Sequence, residues 1–410
     1  MRILHVSDAY LPKQGGIEVQ VHDLATRQAE AGHEVTVLTC APEHRAGTNR
    51  STDAVPDAAT TRVHAPAGAR AVPGVGGREG SGDAADGTEP EPQVRVRRVR
   101  VPWGRIRRTN TTLRRLIRDE QVEVVHAHLS VLSPLSILAV RTAAKDGVPV
   151  VATLHSLWWF ATPLYAIADL VVRWSHWPVQ WTAVSELAAE PMRGVLRGRA
   201  EVSILPNGID PGAWLVEPQP READDVLVVT VMRLAARKRP RALLKAFRQA
   251  LDQLPAGIRL RLVVIGDGPL RPKLERDVAR LRLTGQVELR GAQRRDQIRE
   301  LYRRADLYIA PAVLESFGIA ALEARSAGLP VIARAQTGIA DFIRHREHGL
   351  LARDDAGLAA ALAELATTPQ QRARMSATSR ATAPEWGWGE VLQRCDLAYK
   401  VAHEVSGTRR

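Results

Sequence analysis

Two glutamates stand eight residues apart in Glu315-Ser316-Phe317-Gly318-Ile319-Ala320-Ala321-Leu322-Glu323. A strand pattern that ends at Pro311 precedes them, and a helical pattern begins at Gly318. Gly318 and Ile319 therefore open a helix whose first N–H groups have no intrahelical acceptor and suit a phosphate. Carboxylates flanking such a helix tip can accept hydrogen bonds from two hydroxyl-rich parts of one ligand. With phosphate between them, the pattern suits a nucleotide sugar, ribose at one carboxylate and hexose at the other. It also admits Glu315 as a loop charge and Glu323 as a helix-surface charge. Arg233 and Lys238, five apart at the end of an apolar run, are cations that can hold a diphosphate. Lys238 is one of six lysines in a chain whose 57 basic residues are otherwise arginine. A solvated charge cluster is the alternative there.

Two glycine turns add to this set. Gly15-Gly16 follows the first apolar run and opens a helical pattern, where glycine lets a backbone approach an anion at a helix N-terminus. Gly266-Asp267-Gly268-Pro269 follows a second very apolar run. Each reads equally as a tight strand-to-helix turn. Neither is GxGxxG, and no Walker lysine follows, so dinucleotide dehydrogenases and P-loop enzymes fit poorly.

These residues need elements to position them. With 410 residues, the chain has room for two domains. Apolar residues make up 45% and charged residues 25%, the balance of a soluble globular protein. Two cysteines, Cys40 and Cys395, exclude a disulfide framework and a cysteine-rich zinc site. The net charge of +12 accompanies an Ala-, Gly- and Arg-rich composition typical of GC-rich coding, so global basicity is no argument for nucleic acid. No long apolar segment follows Arg2, and the weakly charged run Leu157–Val172 contains Asp169 and falls short of the roughly 20 residues of a membrane span. A cytoplasmic chain is expected, peripheral at the inner face of the membrane if it touches one.

Short apolar runs alternate with amphipathic stretches. Arg2–Ser7, Glu34–Thr39, Val94–Val101, Val122–His128, Val148–Leu154 and Trp181–Val184 read as strands, with helices over Gly16–Ala31, Thr111–Asp119 and Val131–Lys145. The pattern restarts with strands Asp225–Met232, Arg259–Gly266, Val287–Arg290, Asp306–Ala310 and Pro330–Ala333, and with helices Pro240–Leu254, Leu270–Leu283, Asp296–Arg304 and Gly318–Ala327. This predicts an α/β chain of two Rossmann-like, doubly wound domains facing each other across a cleft. Their bounds are set at 1–205 and 206–383, with 384–410 as a C-terminal helix crossing back to the first domain. Ligands of such sheets bind beyond the carboxyl ends of the strands. Residues 43–93 hold few large aliphatics and no aromatic residue, and read as a flexible insertion. The tail Ser406–Arg410 is expected to fray.

Taken together, these residues resemble the retaining glycosyltransferases of the GT-B fold, family 4. In the second half the resemblance rests on Arg233…Lys238, Ile265-Gly266-Asp267-Gly268-Pro269, Ala305-Asp306-Leu307-Tyr308 and Glu315-Ser316-Phe317-Gly318…Glu323. Pro206-Asn207-Gly208-Ile209-Asp210 resembles the family's interdomain phrase. In the first half it rests on Pro12…Gly15-Gly16, Gly32-His33-Glu34-Val35, Val125-His126-Ala127-His128, His155 and Val184-Ser185-Glu186. It covers nearly the whole chain outside the insertion. It implies a hexosyltransferase using a nucleoside-diphosphate sugar, UDP- or GDP-linked, with no tightly bound cofactor. Arg233 and Lys238 would bind the diphosphate, Glu315 sugar hydroxyls and Glu323 the ribose. Gly318 and Ile319 would supply N–H groups, and Gly16 would approach the phosphate from the first domain. Gly15, Gly266, Gly268, Ser316 and Phe317 complete the donor set, and His155 would stand near the anomeric carbon and the acceptor. Two departures are visible: Arg239 where glycine often follows the lysine, and the bulky Leu154-His155-Ser156-Leu157-Trp158-Trp159.

Such a mechanism is physically sound. Expelling a nucleoside diphosphate develops negative charge that cations and a helix dipole stabilise, and domain closure excludes competing water. No cluster with metal-ligand spacing appears, so no divalent metal is required by the sequence. His126 and His128 share one strand face and read as structural or cleft-lining. Between Arg95 and Arg118 there are ten arginines and no acidic residue, a surface that can hold anionic headgroups or be merely solvated. With the first reading, the resemblance implies a lipid-linked or cell-envelope acceptor, sugar or glycolipid; no nucleic-acid motif supports the electrostatic alternative. Five of the nine tryptophans lie between Trp158 and Trp181, as core, acceptor pocket or interfacial belt. Residues near Gly291-Ala292-Gln293 border the expected base site. Two other functions compete: a nucleotide-sugar epimerase of related fold and a non-catalytic membrane-docking module.

Overall fold

The computed structural model describes residues 1–12, 15–42, 60–63, 93–99, 106–382 and 386–407. In chain order the first half contains β1 (Arg2–Ser7), α1 (Gly16–Glu30), β2 (Glu34–Thr39), β3 (Thr60–Val63), β4 (Val94–Arg98), α2 (Ile106–Asp119), β5 (Val124–Leu129), α3 (Pro134–Lys145) and β6 (Val150–Leu154). Next come α4 (Thr162–Val172), β7 (Gln180–Ala183), α5 (Glu186–Leu196), β8 (Val202–Ile204) and α6 (Pro211–Trp214). The second half contains β9 (Asp225–Val231), α7 (Pro240–Leu251), β10 (Arg259–Ile265), α8 (Arg271–Arg280), β11 (Val287–Gly291), α9 (Arg295–Arg304), β12 (Leu307–Ala310) and α10 (Ile319–Ser326). It ends with β13 (Val331–Arg334), β14 (Gly349–Ala352), α11 (Asp355–Thr367), α12 (Pro369–Ala381) and α13 (Trp388–Gly407).

The strands form two sheets, in the orders β3-β4-β2-β1-β5-β6-β7-β8 and β11-β10-β9-β12-β13-β14. Every pairing in the second sheet is parallel, whereas β3 lies antiparallel to β4 at the edge of the first. Buried runs such as Val226-Leu227-Val228-Val229-Thr230 are what a parallel strand covered on both faces demands. The order reverses between β1 and β5 in one sheet and between β9 and β12 in the other. Where it reverses, the loops on the two sides turn away from each other and leave a crevice at the strands' carboxyl ends. The chain thus has two Rossmann-like domains.

By compactness it divides into one unit of Met1–Thr153, His176–Trp181 and Asp396–Arg410, and another of Leu154–Ser175 and Thr182–Cys395. The second is built on Val226, Val228, Leu243, Phe247, Leu262, Ile309 and Leu362, all fully or nearly buried between sheet and helices. Most expected elements are present within a few residues. Two expectations need correction. Within the stretch read as a flexible insertion, Thr60–Val63 pairs in register with Val94–Arg97; its other residues, Gln93 apart, lie outside the described residues. Of the tail Ser406–Arg410 that was expected to fray, Ser406 and Gly407 are the last residues of α13, and 408–410 lie outside the described residues.

Candidate functional site

Loops after β9 and β12 flank the strand-order reversal of the second sheet, and Arg233, Lys238, Glu315, Ser316, Phe317 and Gly318 of the expected donor set lie on them. Past β9, the chain runs alongside the turn that follows β10. Met232 N–H donates to the Ile265 carbonyl, Leu234 N–H to Asp267 and Leu270 N–H to Leu234, at 2.9, 2.9 and 3.0 Å. This lacing accounts for the glycines. Gly266 has φ of 125°, and a Cβ there would overlap the Met232 carbonyl. A Cβ on Gly268 would stand 2.6 Å from the Leu234 carbonyl oxygen. The close approach these two glycines serve is backbone on backbone.

One turn of 3-10 helix, Ala236–Lys238, then presents Lys238, whose Nζ pairs with Glu315 Oε2. The turn is closed by Arg239 in the left-handed region at φ 55°, a conformation that glycine takes without strain. Its guanidinium forks onto Asp355 at 2.8 and 2.7 Å, and Arg334 joins the same carboxylate at 3.2 Å. Arg233 is exposed and has no ion-pair partner among the described residues.

After β12, Pro311 leads to Glu315. The Glu315 carbonyl accepts from Gly338 N–H at 2.9 Å. Ser316 Oγ donates to the His155 carbonyl at 2.7 Å. The Phe317 side chain is buried against Phe342 and Trp386, with centroids 5.8 and 5.3 Å away, so only its backbone is available to a ligand. Gly318, at φ 93°, caps α10, which has no side-chain cap and no acidic residue in its first turn. The free N–H groups at that tip keep their capacity for an anion. Glu323, further along α10, acts electrostatically on two buried tyrosines. Burial raises the Tyr308 hydroxyl most, and the carboxylates of Glu323 and Glu315 push it further up; Tyr302 is raised by burial, by Tyr308 and by Glu323.

His155 is buried, and desolvation lowers its imidazole to about 4, so the ring is neutral at physiological pH. The second unit therefore brings His155, Ser316, Glu315 and Lys238 into one chain of contacts. Gly318 and Ile319 lie next to them, and the Gly266 and Gly268 turn is laced to the segment after β9 that carries Arg233. Gly15 and Gly16 belong to the first unit and open α1. A Cβ on Gly15 would collide with the Glu18 carboxyl, which lies over that helix tip. Sequence reasoning missed Gly338. A Cβ there would overlap the Ser316 carbonyl. Its signal was available: like Gly266, it follows closely on an apolar strand.

In the first unit, the histidines of β5 join His5 of β1. The ring nitrogens of His5, His126 and His128 lie within 4.8 Å of one another. They are already engaged: His5 with His128 at 2.9 Å and with Gln28 at 2.7 Å, His126 with Thr153 at 2.7 Å and with the Tyr399 hydroxyl at 2.9 Å. Gln28 also donates to Tyr399 at 2.8 Å. Burial lowers His5 to about 4. The arginine-rich stretch is partly spent on internal contacts. Arg95 pairs with Glu34, Arg97 with Glu120 and Arg114 with Asp146, and Arg98 donates to the Ala41 and Leu11 carbonyls. Arg100 and Arg105 lie outside the described residues, and Arg115 and Arg118 are exposed.

The protein with this fold is a transferase. Residues 215–382 match the family model "Glycosyl transferases group 1" and residues 14–213 match "Glycosyltransferase Family 4". The chain belongs to the GT-B glycosyltransferases.

Among relatives, the gpi3 subunit of phosphatidylinositol N-acetylglucosaminyltransferase of Schizosaccharomyces pombe is 26% identical, over 96% of this chain and 79% of its own. D-inositol 3-phosphate glycosyltransferase of Rhodococcus erythropolis is 28% identical over 68% of each chain. Among solved structures, Anabaena HepE in complex with UDP superposes with a TM-score of 0.67 at 16% identity, over 98% of this chain and all of that one, a likeness of fold.

Proposed function

We propose that the protein moves a hexose from a UDP- or GDP-sugar to an acceptor hydroxyl with retention of anomeric configuration. The acceptor is a lipid-linked or cell-envelope glycan or glycolipid. In this reading residues 206–383 bind the donor and residues 1–205 the acceptor. The observation that carries it is the Lys238–Glu315 pair joined through Ser316 to the His155 backbone, beside the uncapped tip of α10. Lys238 and Arg233 take up the charge that develops on the diphosphate as the bond to the anomeric carbon breaks. The α10 N–H groups hold a phosphate. Glu315, fixed by Lys238, accepts from sugar hydroxyls, and Glu323 accepts from ribose. His155 is neutral and adds no charge beside the sugar. Two of the relatives carry names that place inositol-bearing molecules among their substrates, which supports a lipid or polyol acceptor. On this reading the protein works in the cytoplasm at the inner membrane face, where Arg115 and Arg118 meet headgroups.

Calorimetric titration with UDP, GDP and ADP, followed by a panel of donor sugars, tests it. One diphosphate should bind and its sugar should be transferred, with the product anomer read by NMR. If none of the three binds, the donor site is misassigned; inversion would sink retention alone.

A further inference from the structure

Helix α4 is built inside out. Its one carboxylate, Asp169, is its buried residue and accepts from the Ser175 N–H at 2.9 Å and the Ser175 hydroxyl at 2.6 Å. Its large aliphatic side chains face outward: Leu164 is 68% exposed, Ile167 64%, Leu170 66% and Val171 85%, and Phe160 just before the helix 74%. Phe160, Leu164, Ile167 and Val171 recur at helical spacing and make one stripe. Apolar side chains scattered over a surface need no explanation. A continuous stripe with the polar group turned inward marks a face that an apolar phase covers.

Three features select a bilayer surface as that phase. First, α4 has 11 residues, about 16 Å of helix, too short to cross a bilayer but enough to lie in its plane. No helix among the described residues is long and apolar enough to cross. Second, Trp159, 39% exposed, stands beside Phe160 at the start of the stripe, and tryptophan is a residue type that settles at the level of headgroups. Third, the neighbouring charges are chiefly arginines. Arg173 caps the C-terminus of α4. Arg197 and Arg199 follow α5, whose Gly194 packs on Thr162 at the other end of α4. None of the three has an ion-pair partner among the described residues, and two exposed carboxylates without an ion pair stand against them, Glu190 on α5 and Glu201 just after Arg199. Phosphate headgroups supply the missing anions.

We propose that residues 159–173 dock the protein on an anionic leaflet, with the apolar face of α4 at the boundary between headgroups and acyl chains. This deepens the membrane part of the proposed function and rests on it, through an element other than the Arg95–Arg118 surface. It also gives that part a geometry. His155 lies four residues before Trp159 and meets Ser316 through its carbonyl. Docking α4 therefore sets one end of the donor loop at the depth where a lipid-linked hydroxyl emerges.

The test is sedimentation of the full chain with sucrose-loaded phosphatidylcholine vesicles, with and without phosphatidylglycerol, and no donor. The wild type should pellet with the phosphatidylglycerol vesicles. The variant Phe160→Ser/Leu164→Ser/Ile167→Ser/Val171→Ser should lose at least about a hundredfold in partition, since each apolar side chain that enters the boundary contributes roughly tenfold. Arg173→Gln, Arg197→Gln and Arg199→Gln should each cost about fivefold, on anionic vesicles only. With Cys40→Ser, leaving only the buried Cys395, a dye on Ile167→Cys should shift to the blue on binding. The proposal is overturned if the wild type stays in the supernatant, if the quadruple variant pellets as well as wild type, or if the dye on residue 167 stays in water while the protein binds. A wild-type dimer that the quadruple variant dissolves would overturn it too, by showing that a second copy covers the stripe. Because no transfer is measured, membrane binding and the donor chemistry can fail separately.

Discussion

Gly318→Ala is the substitution whose cost follows most directly from the geometry. The residue sits at φ 93°, ψ 53°, where an L side chain crowds its own backbone. A Cβ there would overlap Ile339 Cγ1 and stand 2.9 Å from its Cδ1, and Ile339 is 1% exposed and cannot swing aside. The left-handed conformation costs about 1–2 kcal/mol and the overpacking about 1–3, so the total is about 2–5 kcal/mol. Gly257→Ala isolates the first part: φ is 99° there, and no atom lies within 4 Å of the added carbon. Urea unfolding of both variants and wild type, followed by far-UV circular dichroism, gives the comparison. Gly318→Ala should have the lower midpoint, and, on the proposed function, calorimetry should show its affinity for the nucleoside diphosphate reduced, because the cap that aims the α10 N–H groups has moved. If Gly318→Ala were no less stable than Gly257→Ala, the Ile339 contact would not constrain the cap and the reasoning would fail.

Glu315→Ala and Lys238→Ala should each lower kcat by about 10²–10³ or more, with the far-UV spectrum unchanged; near-normal turnover in either would remove the pair from the donor site. Burial lowers His5 and His155 to about 4 from 6.5, so between those values the unfolded chain binds protons that the folded chain does not. Stability should therefore fall with pH below 6.5, at about 1.4 kcal/mol per unit for each histidine. Urea midpoints between neutral and acid pH check this, and His5→Gln should flatten the slope. At Arg239, substitution by Gly relieves the left-handed strain, about 1–2 kcal/mol, and loses a part-exposed ion pair, about 0.2–1, whereas Ala only loses the pair. Arg239→Gly should thus melt above Arg239→Ala, and the reverse order would discount the φ of 55°.

Much of this architecture is legible in the residues themselves. Strands such as Asp225–Val231 announce themselves because a parallel strand buried on both faces is apolar throughout, and Pro240 and Gly318 mark helix starts. Helix α4 was not legible. Periodicity assumes that the apolar face points inward, and in Leu164–Val172 it points out. Edge strand β3 hid within a Pro- and Gly-rich stretch because one short pairing partner suffices for four residues. At the proposed donor loops, spacing singled out Lys238 and Glu315 but not their direct pairing. Nor could it show that Gly266 and Gly338 are required by neighbouring carbonyls. Such close approaches join segments far apart in sequence, which no local pattern records. The three-histidine network has the same origin: His5, Gln28, His126 and Tyr399 meet only through the fold.

That network has a bearing on biosynthesis. Gln28 and His126 share the hydroxyl of Tyr399, which is carried by the last helix and is 1% exposed. A nascent chain on the ribosome that has laid down β1, α1 and β5 still has buried polar groups wanting a partner, and these cannot be left unsatisfied cheaply. The unit whose first strands are translated earliest is consequently completed last, after residue 399 has left the exit tunnel.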